Sequence, residues 1–243
     1  MTFKELVYAF FTYPTILLYL VLSIVFFVLL LAENTLSFYD IFLPIVATIV
    51  IYPFAWYVIH RFVLHSRLYK IKYAAATWKR IHFDHHQDPH NLKVLFGAPY
   101  TTLPTIFLIT GSAGWALGGM VGAYSGIMTG LIITCFYEFC HCIQHLNYQP
   151  KWSFLQRIKK LHLAHHFHNE QGNYGITNYL WDRLFNTFYA KSKYVEKSPT
   201  VFNIGYTNEE ALKYPWVLEL SHGVRRDDGP GRYRIKDPIN SPQ

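Results

Sequence analysis

The sequence predicts an all-α integral membrane protein, with four transmembrane helices and a helical cap on the cytoplasmic side. Three observations predict it. Of the 243 residues 51% are hydrophobic and 18% aromatic, but only 15% are charged, where soluble domains carry about a quarter. The cations are segregated, with no Lys or Arg between Glu5 and His60 and none between Val94 and Pro150. Ten of the thirteen histidines fall in two similarly spaced series, each starting where an uncharged stretch ends.

The chain reads as one domain over 1–243. Tyr13 to Ala32 is uncharged and almost wholly aliphatic or aromatic, and as a helix it covers about 30 Å, the hydrocarbon thickness. This is too long for the apolar core of a signal peptide and lacks a small-residue cleavage site. Glu33, Asn34 and Asp40 mark a turn. Residues 41–59 form a second span, interrupted by Pro44 and Pro53, which membrane helices tolerate. Ala98 to Tyr137 holds 40 uncharged residues, too many for one crossing. Gly111, Gly114, Gly118 and Gly119 offer a turn, giving antiparallel spans over 101–117 and 120–138. The cap is assigned to 60–96 and 139–190, and the tail over 191–243, with its Pro, Gly and charge, to a partly ordered cover.

Four spans place every cation on one side. Because cytoplasmic loops carry the excess Lys and Arg, the cap and both termini are expected in the cytoplasm. The net charge of +7 is therefore a topology signal and not the footprint of a nucleic-acid binder. Cys135, Cys140 and Cys142 have neither CxxC spacing nor distant partners and read as reduced, packed residues.

The histidines carry the chemistry. His82, His85 and His86 form H-x-x-H-H, and His162, His165 and His166 repeat it. His60 and His65 precede the first set; His141 and His145 precede the second. The distance from His60 to His82 is 22 positions, and from His141 to His162 it is 21. Residues at i, i+3 and i+4 share a helix face, whereas adjacent residues point about 100° apart. His85 and His86 thus suit two neighbouring metal ions better than one. The five-residue spacing of His60 and His65 fits no ideal helix face, so a distortion or helix end is expected there. The stripe Ile71, Ala75, Trp78, His82, His85 lies on one face of a helix, as does Phe154, Ile158, His162, His165 in the segment from Lys151 to His166. Neutral imidazole suits Zn, Cu, Fe and Ni. An all-histidine pair of ions also needs carboxylates nearby to spread the charge and orient the rings. Glu138, one turn before His141, is the leading candidate, followed by Asp84 and Asp182.

These motifs resemble the fatty acid hydroxylase/sterol desaturase superfamily over about residues 56–189. The resemblance rests on the four histidine motifs, on His60-Arg61-Phe62 and Tyr137-Glu138, and on Asn173-Tyr174-Gly175-Ile176-Thr177 followed by Leu180-Trp181-Asp182. It is nearest to the fatty acid 2-hydroxylase branch, although that family commonly has Asp where this chain has Glu138. The resemblance implies a non-haem di-iron lipid hydroxylase, a monooxygenase whose two iron ions are held by the ten histidines, although zinc can occupy such sites in purified protein. O2 is then the co-substrate and a membrane lipid the substrate. Nothing in the chain resembles a fused cytochrome b5 domain, so the electrons are expected from a separate cytochrome b5-like protein or ferredoxin. His90, His168 and His222 lie outside the motifs and are not expected as ligands.

Three alternatives stay open at this point. One is a sterol, carotenoid or complex-lipid hydroxylase or desaturase of the same superfamily. Another is a haem-binding membrane electron carrier, although axial haem ligands come one per helix within the bilayer. The last is a metal transporter, whose ligands sit near mid-bilayer, where these spans have none.

Overall fold

The computed structural model describes residues 1–223 and is all-helical among them. Residues 224–243 of the expected tail lie outside that range. The chain opens with α1 (Phe3–Phe11), for which Thr2 and Glu5 form a reciprocal capping box. This is the S/T-x-x-E signature of a helix start, and the hydropathy reading had passed over it. Pro14 at the first position starts α2 (Pro14–Leu31), where a proline loses no hydrogen bond. Next comes α3 (Phe38–Ile59).

Three stretches of the described chain are long and apolar enough to cross a membrane: Pro14–Leu31, Phe38–Leu64 and Leu92–His145. The last is not straight. It starts with α6 (Leu92–Leu95) and α7 (Pro99–Ile106), passes through a π-turn at Phe107–Gly111 and continues into α8 (Ser112–His145), which reverses at Gly118 and Gly119. Gly119 has φ +58° and ψ −142°, a conformation essentially confined to glycine. The two arms then pack backbone to backbone. A Cβ on Gly114 would strike the Gly122 carbonyl, and one on Gly126 would strike that of Thr110. Small residues at a helix–helix contact allow this approach in an apolar medium.

The helices that carry the histidines gather at one end of these apolar arms. They are α5 (Asp84–Gln87), the end of α8, and α9 (Ser153–Phe167), with the turns that hold His60 and His82, and they lie beside α4 (Lys72–Trp78) and α10 (Leu180–Leu184). Three clusters hold the parts together. Leu6, Phe10, Ile16 and Tyr19 pack on Phe96, Leu131 and Ile143. Ile158, Leu161, Ile176 and Tyr179 pack on Cys140. Tyr69, Trp78 and Phe83 are covered by Ile204, Tyr206, Ala211 and Val217 from the segment bearing α11 (Asn208–Lys213) and α12 (Trp216–Leu220). The three cysteines are free and buried. Lys159 donates to the carbonyls of Ile143, Leu146 and Tyr148 at 2.7–2.9 Å, so α9 caps the end of α8 with a half-buried ammonium.

Ile71 is 41% exposed and Phe154 50%, so the buried part of each stripe begins at Ala75 and Ile158. The arms of the hairpin set the position of everything above them. Gly122→Leu should therefore lower stability by about 1–3 kcal/mol, read as a lower midpoint of thermal unfolding in detergent, whereas Leu108→Ala on the exposed side should leave it nearly unchanged.

Candidate metal centre

The expected distortion at His60 is a π-turn, His60–Leu64. The His65 amide bonds the His60 carbonyl, five residues back, at 3.2 Å. The wider turn brings residues five apart onto one side, and the two rings stand 5.0 Å apart. A second π-turn, Lys79–Phe83, leads into the first H-x-x-H-H. Such bulges gather at functional sites because they re-aim side chains along an otherwise regular helix. This one also explains Asp84: its carboxylate takes Lys79 Nζ at 2.7 and 2.9 Å, a contact between residues five apart. Asp84, expected beside an imidazole, is paired here with a lysine.

All ten motif histidines converge. In one group His60, His65, His82 and His165 each bring a ring nitrogen within 4.8 Å of the others. In a second, His85, His141, His145, His162 and His166 do the same. His86 joins His165 and His166 in a third set that links the two, and it also stands 4.7 Å from the His82 ring. The groups do not follow the two halves of the chain. His85 crosses to the second series and His165 to the first, and these are equivalent positions of the repeated motif. The exchange interlocks the two halves.

Backbone carbonyls aim three of the rings. Nδ1 of His60 lies 2.6 Å from the Tyr174 carbonyl, Nδ1 of His86 2.8 Å from that of Val201, and Nδ1 of His165 2.7 Å from that of Gly172. With the proton assigned to Nδ1, each Nε2 is left as an acceptor or ligand. Within each group the Nε2 atoms crowd together: His82 to His65 at 2.8 Å, His65 to His60 at 3.3 Å, and His162 to His145 at 2.8 Å. Other ring nitrogens are buried with no hydrogen-bond partner, including Nε2 of His86 and His165 and both nitrogens of His85 and His166. An orphaned buried nitrogen costs the desolvation of that group, and a metal ion would meet the demand of many of these at once.

Burial holds His65, His82, His85, His162, His165 and His166 well below the usual histidine range, with repulsion from neighbouring imidazoles adding to it. His86 is pushed down to about 3 by burial, against a partial offset from the Val201 carbonyl. The rings are therefore neutral near pH 7, the form that binds metals.

The acids take unequal places. Glu138 is buried; Oε1 accepts from the Gly97 amide at 2.9 Å, and Oε2, unpaired, lies 3.6 Å from Nδ1 of His141. Asp182 accepts from the amides of Tyr174 and Gly175 and from the Thr187 hydroxyl at 2.8–2.9 Å. It thereby fixes the loop whose Tyr174 carbonyl aims His60, one step further from the rings than expected. Glu170, which the sequence reading missed, is buried and accepts from Ser198 and Thr200. His90 and His168 bond the carbonyls of His145 and Val195, and neither ring enters the convergent groups.

Residues 45–187 match the family described as Fatty acid hydroxylase. The chain is 33% identical over 145 residues to the ceramide very long chain fatty acid hydroxylase SCS7 of Saccharomyces cerevisiae, covering 56% of this chain and 36% of that protein. It is 29% identical over 164 residues to the dihydroceramide fatty acyl 2-hydroxylase FAH2 of Arabidopsis thaliana, covering 64% and 65%, and 28% identical over 139 residues to the fatty acid 2-hydroxylase of Mus musculus, covering 56% and 37%. The match thus spans between about a third and two thirds of these relatives. A solved structure described as full-length scs7p with only the hydroxylase domain visible aligns with a TM-score of 0.60 at 26% identity, over 75% of this chain and 67% of that one.

The lowered histidine values set the pH response of the metal-free protein. In the unfolded chain these rings take up protons near pH 6.5, whereas in the folded one they resist. Their contribution is present above about pH 6.5 and is lost as the pH falls from there toward the folded values. Denaturation of metal-stripped protein should therefore show lower stability at pH 5 than at pH 7.5; equal stability at the two would contradict the burial of neutral rings.

Proposed function

Because this chain belongs to the fatty acid hydroxylase family, we propose that it is an O2-dependent di-iron membrane oxygenase that hydroxylates a lipid acyl chain, in the manner of a fatty acid 2-hydroxylase. The observation that carries this reading is the convergence of ten histidines into two adjoining groups with unpartnered nitrogens. One ion would be held by His60, His65, His82 and His165, with His86 beside it. The other would be held by His85, His141, His145, His162 and His166. Two iron ions bound there, fed two electrons by a separate cytochrome b5-like protein or ferredoxin, would supply activation of O2 and attack on an unactivated C–H bond, chemistry that side chains alone do not perform.

The chain's own residues prepare the place. The carbonyls of Tyr174, Val201 and Gly172 hold the rings of His60, His86 and His165 in one tautomer and direction. Asp182 stiffens the loop that presents Tyr174. Glu138, with one oxygen on Gly97 and the other toward His141, puts a negative charge beside an otherwise uncharged ligand set. Burial of the rings keeps protons and bulk water from competing for their nitrogens.

The membrane arrangement follows from the same reading. The Leu92–His145 hairpin supplies two crossings and α2 and α3 supply two more, making four spans with the cap and both termini in the cytoplasm. A fluorescent or protease-sensitive tag at either terminus should be reachable from the cytoplasmic side, and a tag found on the opposite side would overturn the four-span arrangement. Related proteins are named for ceramide and dihydroceramide acyl chains and for fatty acids, so the proposed substrate is an acyl chain, either linked to a complex lipid or free.

Lipid extracts from an iron-supplied host should gain one oxygen on an acyl chain when this protein is expressed, measured by mass spectrometry. His85→Ala and His165→Ala should each abolish that product and lower bound metal, while His222→Ala leaves both near the original level. No oxygenated lipid in the presence of metal and reductant would refute the activity, and full turnover by either of the first two variants would refute the ligand assignment.

A further inference from the structure

We infer that a slot between α3, α8 and the loop leading to α10 is the path by which one unbranched alkyl chain of the substrate lipid reaches the histidines, and that Trp56 decides which chains pass. The inference rests on the proposed acyl-chain activity and locates its substrate. The slot is walled by Trp56, Tyr137, Tyr174, Thr177 and Trp181, among others, and its free volume is about 10 Å³, space for at most one water.

Its inner wall belongs to the histidine centre. The Tyr174 ring stands 5.5 Å from His60, 5.3 Å from His65 and 5.6 Å from His165. The Tyr137 ring stands 6.4 Å from His141. One slot therefore borders both groups. Its outer end faces the apolar flank. Phe54 packs against Trp181 at 4.6 Å, and Phe54, Leu180, Leu184 and Phe185 are exposed. A run of exposed apolar side chains beside a span suits the hydrocarbon of a bilayer. Between the two ends the passage is shut by Trp56, stacked on Tyr137 at 5.5 Å with the planes 27° apart.

The chemistry of the walls selects the occupant. No Asp, Glu, Lys, Arg or His lines the slot, so it can desolvate a hydrocarbon chain but offers a charged head nothing to bond. A larger cavity of about 350 Å³ lies between α9 and Phe188 and is lined by Ser153, Gln156, Arg157 and Lys160; its two cations make it a poor path for an alkyl chain. Half-buried Trp56 is held by ring contacts alone, stacked on Tyr137 and tilted against Tyr52 at 5.9 Å, and opening the slot needs it to turn away from them. A narrow slot closed by a flat aromatic ring passes a straight chain more readily than a branched one.

Photolabelling tests this without turnover. The metal-free full chain in lipid nanodiscs would be irradiated with palmitic acid carrying a mid-chain diazirine, and adducts mapped by mass spectrometry. Adducts are expected on peptides holding residues 53–57 and 174–181 and should be suppressed by excess palmitic acid. Thr177→Trp, which fills the slot, should reduce them at least tenfold while the metal-loaded variant keeps two ions per chain. Trp56→Ala should raise them several-fold and admit a methyl-branched probe that the original protein excludes. Should Thr177→Trp fail to fold, Trp56→Ala still decides the matter: labelling and chain preference equal to the original protein would overturn the inference. Adducts confined to the outer faces of α2 and α8 would do the same. Slot labelling in a protein that oxygenates no lipid would instead refute the proposed activity and leave the chain path standing.

Discussion

Ten imidazoles are crowded into one largely buried pocket, and each of their nitrogens must still find something to bond. Much of the cap answers that demand. Three rings are turned by backbone carbonyls from the segment 172–201, two pairs of rings bond at 2.8 Å, and the remaining orphaned nitrogens point inward. Left alone such a cluster is unfavourable, because each neutral ring has given up water without full compensation. The surrounding packing holds it open: Trp78 and Phe83 under the 204–217 cover, Ile158 and Leu161 against Cys140, and the glycine-lined hairpin below.

The exchange of His85 and His165 deepens this dependence. The first half gives His60, His65 and His82 to one group and the second gives His141, His145, His162 and His166 to the other; each lends one ring across, and His86 stands in the set that links them. Neither group has its full set of rings unless both halves are folded and docked. The link through His86, His165 and His166 ties the two into one unit, so displacing one ring disturbs the neighbours of both.

Much of this was legible in the residues and some of it could not be. Charge-free stretches and the blocks of cations marked the apolar arms, and the glycines between Gly111 and Gly119 marked the reversal. The misfit of H-x4-H with a regular helix called for a distortion, and a π-turn stands at His60–Leu64. The second π-turn had no such signal, because H-x-x-H-H fits a regular helix. It moved Asp84 onto Lys79. Spacing along a chain states which rings share a face but not which partner helix that face meets, so the crossing of His85 and His165 was invisible. The carbonyls of Gly172, Tyr174 and Val201 were equally hidden, since a backbone oxygen carries no residue signature. Glu170, in a stretch without periodicity, gave no hint of its burial.

The central claim is that two ions share ligands across the halves of the chain. Anomalous scattering from crystals of the iron-loaded protein tests it most directly. The account predicts two peaks, one ringed by His60, His65, His82 and His165 and the other by His85, His141, His145, His162 and His166. A single peak, or two peaks each enclosed by the histidines of one half alone, would contradict it.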